Sequence, residues 1–202
     1  MKSMMHAAVH SRMATFFSDG SCINSTVDKY EPGVKPRTQP GGHCILAGVT
    51  ALENLQRLSL TLPEPPAAVG AYVTWVRTGN LILTSGQLPW QGTTMLYPGR
   101  LGEHVWVEDG YKAARQAALN AIAQLHAATA GDLEKIVRIV RVEGYVHCAP
   151  GFRDHPKVLD GASDLFVAVF EERGKHVRTA LGIPDMPLNA CIQLGIWAEV
   201  AA

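Results

Sequence analysis

The hydrophobic pattern of the chain changes period several times after Leu52. Asn54 to Leu60 is a short amphipathic stretch that predicts a brief helix. Two β-prone runs, Tyr72 to Arg77 and Leu81 to Thr84, flank Thr78-Gly79-Asn80 and predict a hairpin, because glycine and asparagine accept the positive φ of a tight turn. Val105-Trp106-Val107 reads as a short edge strand. From Tyr111 to Ala130 the period becomes helical, with Ala114, Ala118, Ala121, Ile122, Leu125 and Ala128 forming a stripe of mostly small residues suited to close packing on a sheet. Gly131 is placed to end that helix.

Ile136 to Cys148 is rich in β-branched residues. Val140, Val142 and Val146 alternate with Arg141, Glu143, Tyr145 and His147, the pattern of a strand covered on one face only. Pro156 to Arg173 predicts a second helix with Val158, Leu159, Leu165, Phe166, Val169 and Phe170 on its buried side and Gly174 closing it. Two strands, 177–183 and 190–200, finish the chain, joined by Pro184 to Asn189. The order β-β-(β)-α-β-α-β-β predicts an α+β fold, one mixed sheet with two helices on one face. The opposite, more polar face is left to find a partner, which predicts oligomerisation.

Residues 1–48 differ from the rest. Met1 to Phe17 holds Lys2, Arg12 and several serines, with no acid before Asp19, a weak likeness to a mitochondrial presequence. Asp28 to Gly42 carries Pro32, Pro36 and Pro40 with glycines and reads as linker. Two readings stand: an unstructured or artefactual extension, with a start near Val49, or a targeting peptide. The folded domain is placed at 49–202. Lysine plus arginine equals aspartate plus glutamate at 18 each; without clustered basic residues, nucleic acid is not the expected partner. No apolar run approaches the roughly 20 residues of a membrane span. Cys22, Cys44, Cys148 and Cys191 form no C-x-x-C and no disulfide framework, so they read as reduced thiols in a cytoplasmic compartment, or a mitochondrial one if 1–17 is a presequence.

Arg178 is the leading candidate for chemistry. Its guanidinium keeps its charge and presents five donors in a rigid fork. Set in the apolar run His176 to Ile183, it needs an anionic partner, either an incoming carboxylate or an acid of the protein itself. Glu143 is a possible catalytic carboxylate or a salt-bridge partner of Arg141. His176, two residues before Arg178, shares its strand face, while His147 and His155 are weaker acid/base candidates. Cys148 and Cys191 read as small apolar fillers before nucleophiles. Metal motif, P-loop, dinucleotide fingerprint and serine triad are all missing, so neither a metal nor a cofactor is expected.

The element order, together with Ala71-Tyr-Val, Leu83-Thr-Ser-Gly-Gln-Leu-Pro89, the alanine-rich helix, Gly131-Asp-Leu, and Val177-Arg-Thr-Ala followed by Met186-Pro, resembles the RidA/YjgF (L-PSP endoribonuclease-like) family over about 71–200. The resemblance implies a chorismate-mutase-like homotrimer with clefts between subunits. It also implies hydrolysis of reactive imines and enamines to 2-keto acids and ammonia. By the same resemblance Arg178 holds the substrate carboxylate, and Ser85, the Gly86 backbone, Tyr72 and Ala180 contribute to the cleft. Gln193 stands 15 residues after the arginine, where deaminating members have a glutamate that handles the attacking water. An amide orients water but is no practical base. Ala180 replaces a common cysteine, and Gly161 an asparagine. The region 142–164 is similar to a longer subgroup that departs from the deaminating members. An imine hydrolase and a non-catalytic carboxylate binder therefore both stay open, with ribonuclease activity the least favoured reading.

Overall fold

In a computed structural model the described residues are 49–68 and 70–202. The reading of 1–48 as an extension or presequence lies outside them. The elements are α1 (Ala51–Arg57), β1 (Trp75–Thr78), β2 (Leu81–Thr84), β3 (Trp90–Gln91), β4 (Thr94–Met95), α2 (Val107–Ala128), β5 (Ile136–His147), α3 (His155–Phe170), β6 (Val177–Ile183) and β7 (Ile192–Val200). Five strands form one sheet in the order β1-β2-β7-β5-β6, with only β5 and β6 parallel. The fold is the expected α+β arrangement.

Sequence dictates most of these elements directly. Thr50 and Glu53 form a capping box at the start of α1: Thr50 Oγ1 accepts from the Glu53 N–H at 3.2 Å, and Glu53 Oε2 accepts from the Thr50 N–H at 2.8 Å. The alanines of α2 are fully buried at 113, 114, 117, 118 and 121. They let α3 approach so closely that a Cβ at Gly161 would run into the Tyr111 carbonyl. The predicted buried side of α3, from Val158 to Phe170, is buried throughout. Ile82, Val142, Val146, Leu194, Ile196 and Ala198 point from the sheet into this helical layer, all with no exposed surface.

Three local expectations are corrected. Val105–Val107 is not an edge strand; Val105 makes one isolated bridge to Leu101, and α2 starts at Val107. Glu108 and Asp109 lie in the first turn, where carboxylates favour a helix N-terminus over β-propensity. Val140 is not on the apolar face: β5 shifts register between Ile139 and Arg141, leaving Val140 as the extra residue of a bulge and Ile139 inside. His147, expected on the open face, is 4% exposed.

The sheet's other face carries no helix of the described residues. Across it runs the register Val76, Leu83, Trp197, Arg141, Val177, one residue from each strand. Val76, Val177 and Leu181 are at least half exposed. No helix among the described residues is long and apolar enough to cross a membrane.

Candidate functional site

Pairing register decides which candidates share a side of the sheet, because directly opposed residues project to the same face. Arg178 pairs with the buried Val142, and Ala180 with Gly144, so both face the helices. Gln193 pairs with Tyr145, and Glu143 pairs with both Gly195 and Thr179, so these lie on the open face. Gly86 lies directly against Gln193: a Cβ there would collide with the Gln193 amide. The anchor candidate and the water-handling candidates of one chain are thus on opposite faces of the sheet.

Arg178 has a partner inside the chain. Its Nη1 donates to Asp160 Oδ1 at 2.9 Å and to Ser163 Oγ at 3.0 Å, both on α3. Asp160 and Ser163 are three residues apart, so one face of the helix presents both. Ser163 Oγ also lies 3.0 Å from His176 Nε2, and His176 Nδ1 lies 2.6 Å from the Gly174 carbonyl. The carbonyl can only accept, so Nδ1 carries the proton and Nε2 accepts from the serine. Burial, and then the Arg178 charge, hold His176 below the ordinary histidine range, with the Gly174 bond opposing them. His176 precedes β6 yet stands on the same side as Arg178, as expected. Among the described residues nothing bonds to Nε or Nη2 of Arg178. That edge of the fork, with three N–H donors, is the one that grips a carboxylate with two parallel bonds. The side chain is 23% exposed.

The other candidates divide. Glu143 accepts from Arg141 Nε at 2.8 Å, and Arg141 Nη2 donates to Thr179 Oγ1 at 2.7 Å. The carboxylate is therefore engaged. Ser85 Oγ donates to the Val73 carbonyl at 2.6 Å and ties the approach to β1 to the end of β2. Tyr72 is 54% exposed. Cys191 is fully buried, and burial pushes its thiol up to about 12, which fits a filler. Cys148 is different, because its Sγ lies 3.3 Å from His155 Nε2. The sequence reading missed both Asp160 and this cysteine–histidine pair. Among the described residues no group of three or more His, Cys, Asp or Glu side chains is arranged to hold a metal ion.

A five-stranded mixed sheet, a separate two-stranded sheet and, among the described residues, helices on one face of the larger sheet make up the chorismate-mutase-like α+β class. The chain belongs to the YjgF family: the family model described as "YjgF/chorismate mutase-like, putative endoribonuclease" matches residues 53–200. Protein TCP17 of Trypanosoma cruzi is 36% identical over 157 residues, covering 77% of this chain and 98% of that protein. A Shewanella oneidensis MR-1 protein whose crystal structure carries the same endoribonuclease description is 42% identical, with a TM-score of 0.73, covering 75% of this chain and 99% of that one. Atu1372 of Agrobacterium tumefaciens, a protein of unknown function, is 36% identical with a TM-score of 0.70, covering 75% of this chain and 92% of that one.

Proposed function

We propose that this protein binds a small carboxylate-bearing metabolite at Arg178, in a cleft completed by a neighbouring copy of the chain. The supporting observation is the state of the guanidinium. Asp160 and Ser163 occupy Nη1 and fix the plane of the fork, while among the described residues nothing bonds to Nε or Nη2, which leaves that edge to a second carboxylate. An arginine already oriented loses less conformational freedom on binding than a free one.

Completion by a second copy is supported by two features. β6 is an edge strand, and an unpaired edge invites docking. The open face carries Val76, Trp197 and Val177 with no helical cover among the described residues, which suits burial in a homotrimer of the kind the resemblance implies. The Gly86–Gln193 pair of one copy then lies against the Arg178 side of another. Sedimentation at micromolar concentration gives the mass of three chains on this reading, and a monomer removes the second half of the cleft.

A second reading, hydrolysis of imines, is favoured by one observation: Glu143, Gln193 and Tyr145 are neighbours on the open face. It is the weaker reading, because Glu143 is tied to Arg141 and the amide of Gln193 takes no proton. Titration calorimetry with 2-ketobutyrate and benzoate tests the binding reading. Heat is expected with both acids, none with neutral 2-butanone, and none with either acid in Arg178→Ala. Equal heat in that variant rejects the assignment. Keto-acid formation from freshly generated 2-aminoacrylate, absent in the natural chain and gained in Gln193→Glu, would mark the cleft as a binder one group short of a hydrolase.

A further inference from the structure

Beyond the C-terminal end of β6 lies a cavity of about 400 Å³, separate from the Arg178 contacts. Its walls include Cys148, Phe152, His155, Gly182 and Arg100. Cys148 Sγ and His155 Nε2 are 3.3 Å apart, within reach for transfer of the thiol proton. Gly182 makes the pair possible: a Cβ there would collide with His155 Nε2 and sit 2.7 Å from the sulfur. The Phe152 ring meets the imidazole edge to face, with centroids 5.1 Å apart, and restrains its orientation.

Arg100 supplies a cation whose charge is loosely compensated. Its Nε donates to His147 Nε2 at 3.2 Å. That nitrogen must therefore be the unprotonated one, and the histidine proton sits on Nδ1, a buried donor with no hydrogen-bond partner. His147 brings no negative charge to the guanidinium. The carboxylates of Asp185 and Glu103 stand 3.5 and 3.8 Å from the guanidinium, and Asp185 is 88% exposed. Pairs so long and so wet neutralise little. Arg100 also borders an adjoining cavity of about 360 Å³ that His104 and His147 line.

We propose that Cys148 is a nucleophile and that this cavity takes small organic anions bearing an electrophilic carbon, with Arg100 holding the negative charge and His155 taking the thiol proton. With an α,β-unsaturated carboxylate, the sulfur pair forms the S–C bond at the β-carbon as the C=C π bond breaks. The α-carbon then takes the proton held by His155. With an α-halo acid the S–C bond forms, the carbon–halogen bond breaks, halide leaves, and His155 releases the proton to water. Neither step needs an oxidant or a reductant. Burial raises the thiol above its ordinary pKa, so proton transfer to His155 belongs to the attack and does not precede it.

Iodoacetate and iodoacetamide, an anionic and a neutral electrophile of nearly equal size, test the assignment on the full chain. Peptide mass analysis follows Cys148 separately from Cys22, Cys44 and Cys191. The iodoacetate-to-iodoacetamide rate ratio at Cys148 is expected to exceed that of a short cysteine peptide by roughly tenfold, the lower end of what a focused field gives. The excess disappears in Arg100→Gln, persists in Arg100→Lys, and collapses for the natural chain in about 0.5 M KCl. His155→Gln slows both reagents, by roughly tenfold or more, and leaves the ratio in place. A ratio equal to the peptide's, or indifferent to both Arg100 and salt, overturns the anion site. Unchanged rates in His155→Gln overturn the role of the pair. Should Arg100→Gln fail to fold, the salt series on the natural chain decides.

Discussion

Two arginines stand near opposite ends of β6, Arg178 on the strand itself and Arg100 in the segment between β4 and α2, and the outcomes differ. At the first end Arg178 makes 2.9 and 3.0 Å bonds to α3 through Nη1, and no described residue bonds the Nε/Nη2 edge. At the far end Arg100 donates to His147 and has only long contacts to acids, and Cys148, Gly182 and His155 line a cavity with it. Orientation distinguishes the first and available charge the second. A short internal ion pair does not disqualify an arginine as an anion anchor when it consumes one nitrogen of the fork and leaves the bidentate edge open.

Glycine substitutions probe the packing behind the comparison. Gly161→Ala forces a methyl against the Tyr111 backbone carbonyl at the α2–α3 crossing. Backbone on both sides cannot yield, so denaturant unfolding should show a loss of about 3 kcal/mol. Gly182→Ala meets only the side chains of Cys148 and His155, which can swing away. A smaller loss of about 1 kcal/mol is expected, together with a disrupted thiol–imidazole pair. If Gly182→Ala costs as much as Gly161→Ala, the far end is a packed core and not a cavity.

Arg178→Ala leaves Asp160 unpaired but half-solvated, so the cost should be no more than about 1 kcal/mol, while carboxylate binding is lost. A loss several times larger would make Arg178 a structural strut. The smallest effect is a pH dependence. His176 is held below its ordinary value of 6.5 in the folded chain, chiefly by burial and further by Arg178, with the Gly174 bond opposing them. Above that value the residue is neutral in both states. Below it the unfolded chain takes the proton first, so stability falls with falling pH until the folded histidine titrates as well. Between about pH 7.5 and about pH 5.5 the melting temperature should fall further for the natural chain than for His176→Asn. Parallel falls would show that His176 titrates without constraint.

The sheet and its two long helices were legible because period-2 and helical patterns were strong in 111–130, 136–148, 156–173 and 190–200. The failures have local causes. Val-Trp-Val at 105–107 has strong β-propensity, but the acids that follow it start a helix there. Thr50-x-x-Glu53 was a readable capping signal ahead of the helix predicted from Asn54. The small hairpin of β3 and β4 was missed, though Gly92 marks its turn with φ near 60°. Arg178 was legible as a charge in need of a partner. Its Asp160 contact was not, because it depends on how α3 is set against β6. The Cys148–His155 pair follows no sequence motif; its seven-residue separation becomes a contact only through the loop around Gly151.

Thermal unfolding with and without 2-ketobutyrate in three chains tests the anchor assignment most directly. At about 10 mM acid and a dissociation constant of about 1 mM, linkage gives about 1.4 kcal/mol, or about 4 °C for a domain of this size. The account predicts that rise in the natural chain and in Arg100→Gln, and none in Arg178→Ala. A rise that survives in Arg178→Ala, or one lost in Arg100→Gln alone, would contradict it.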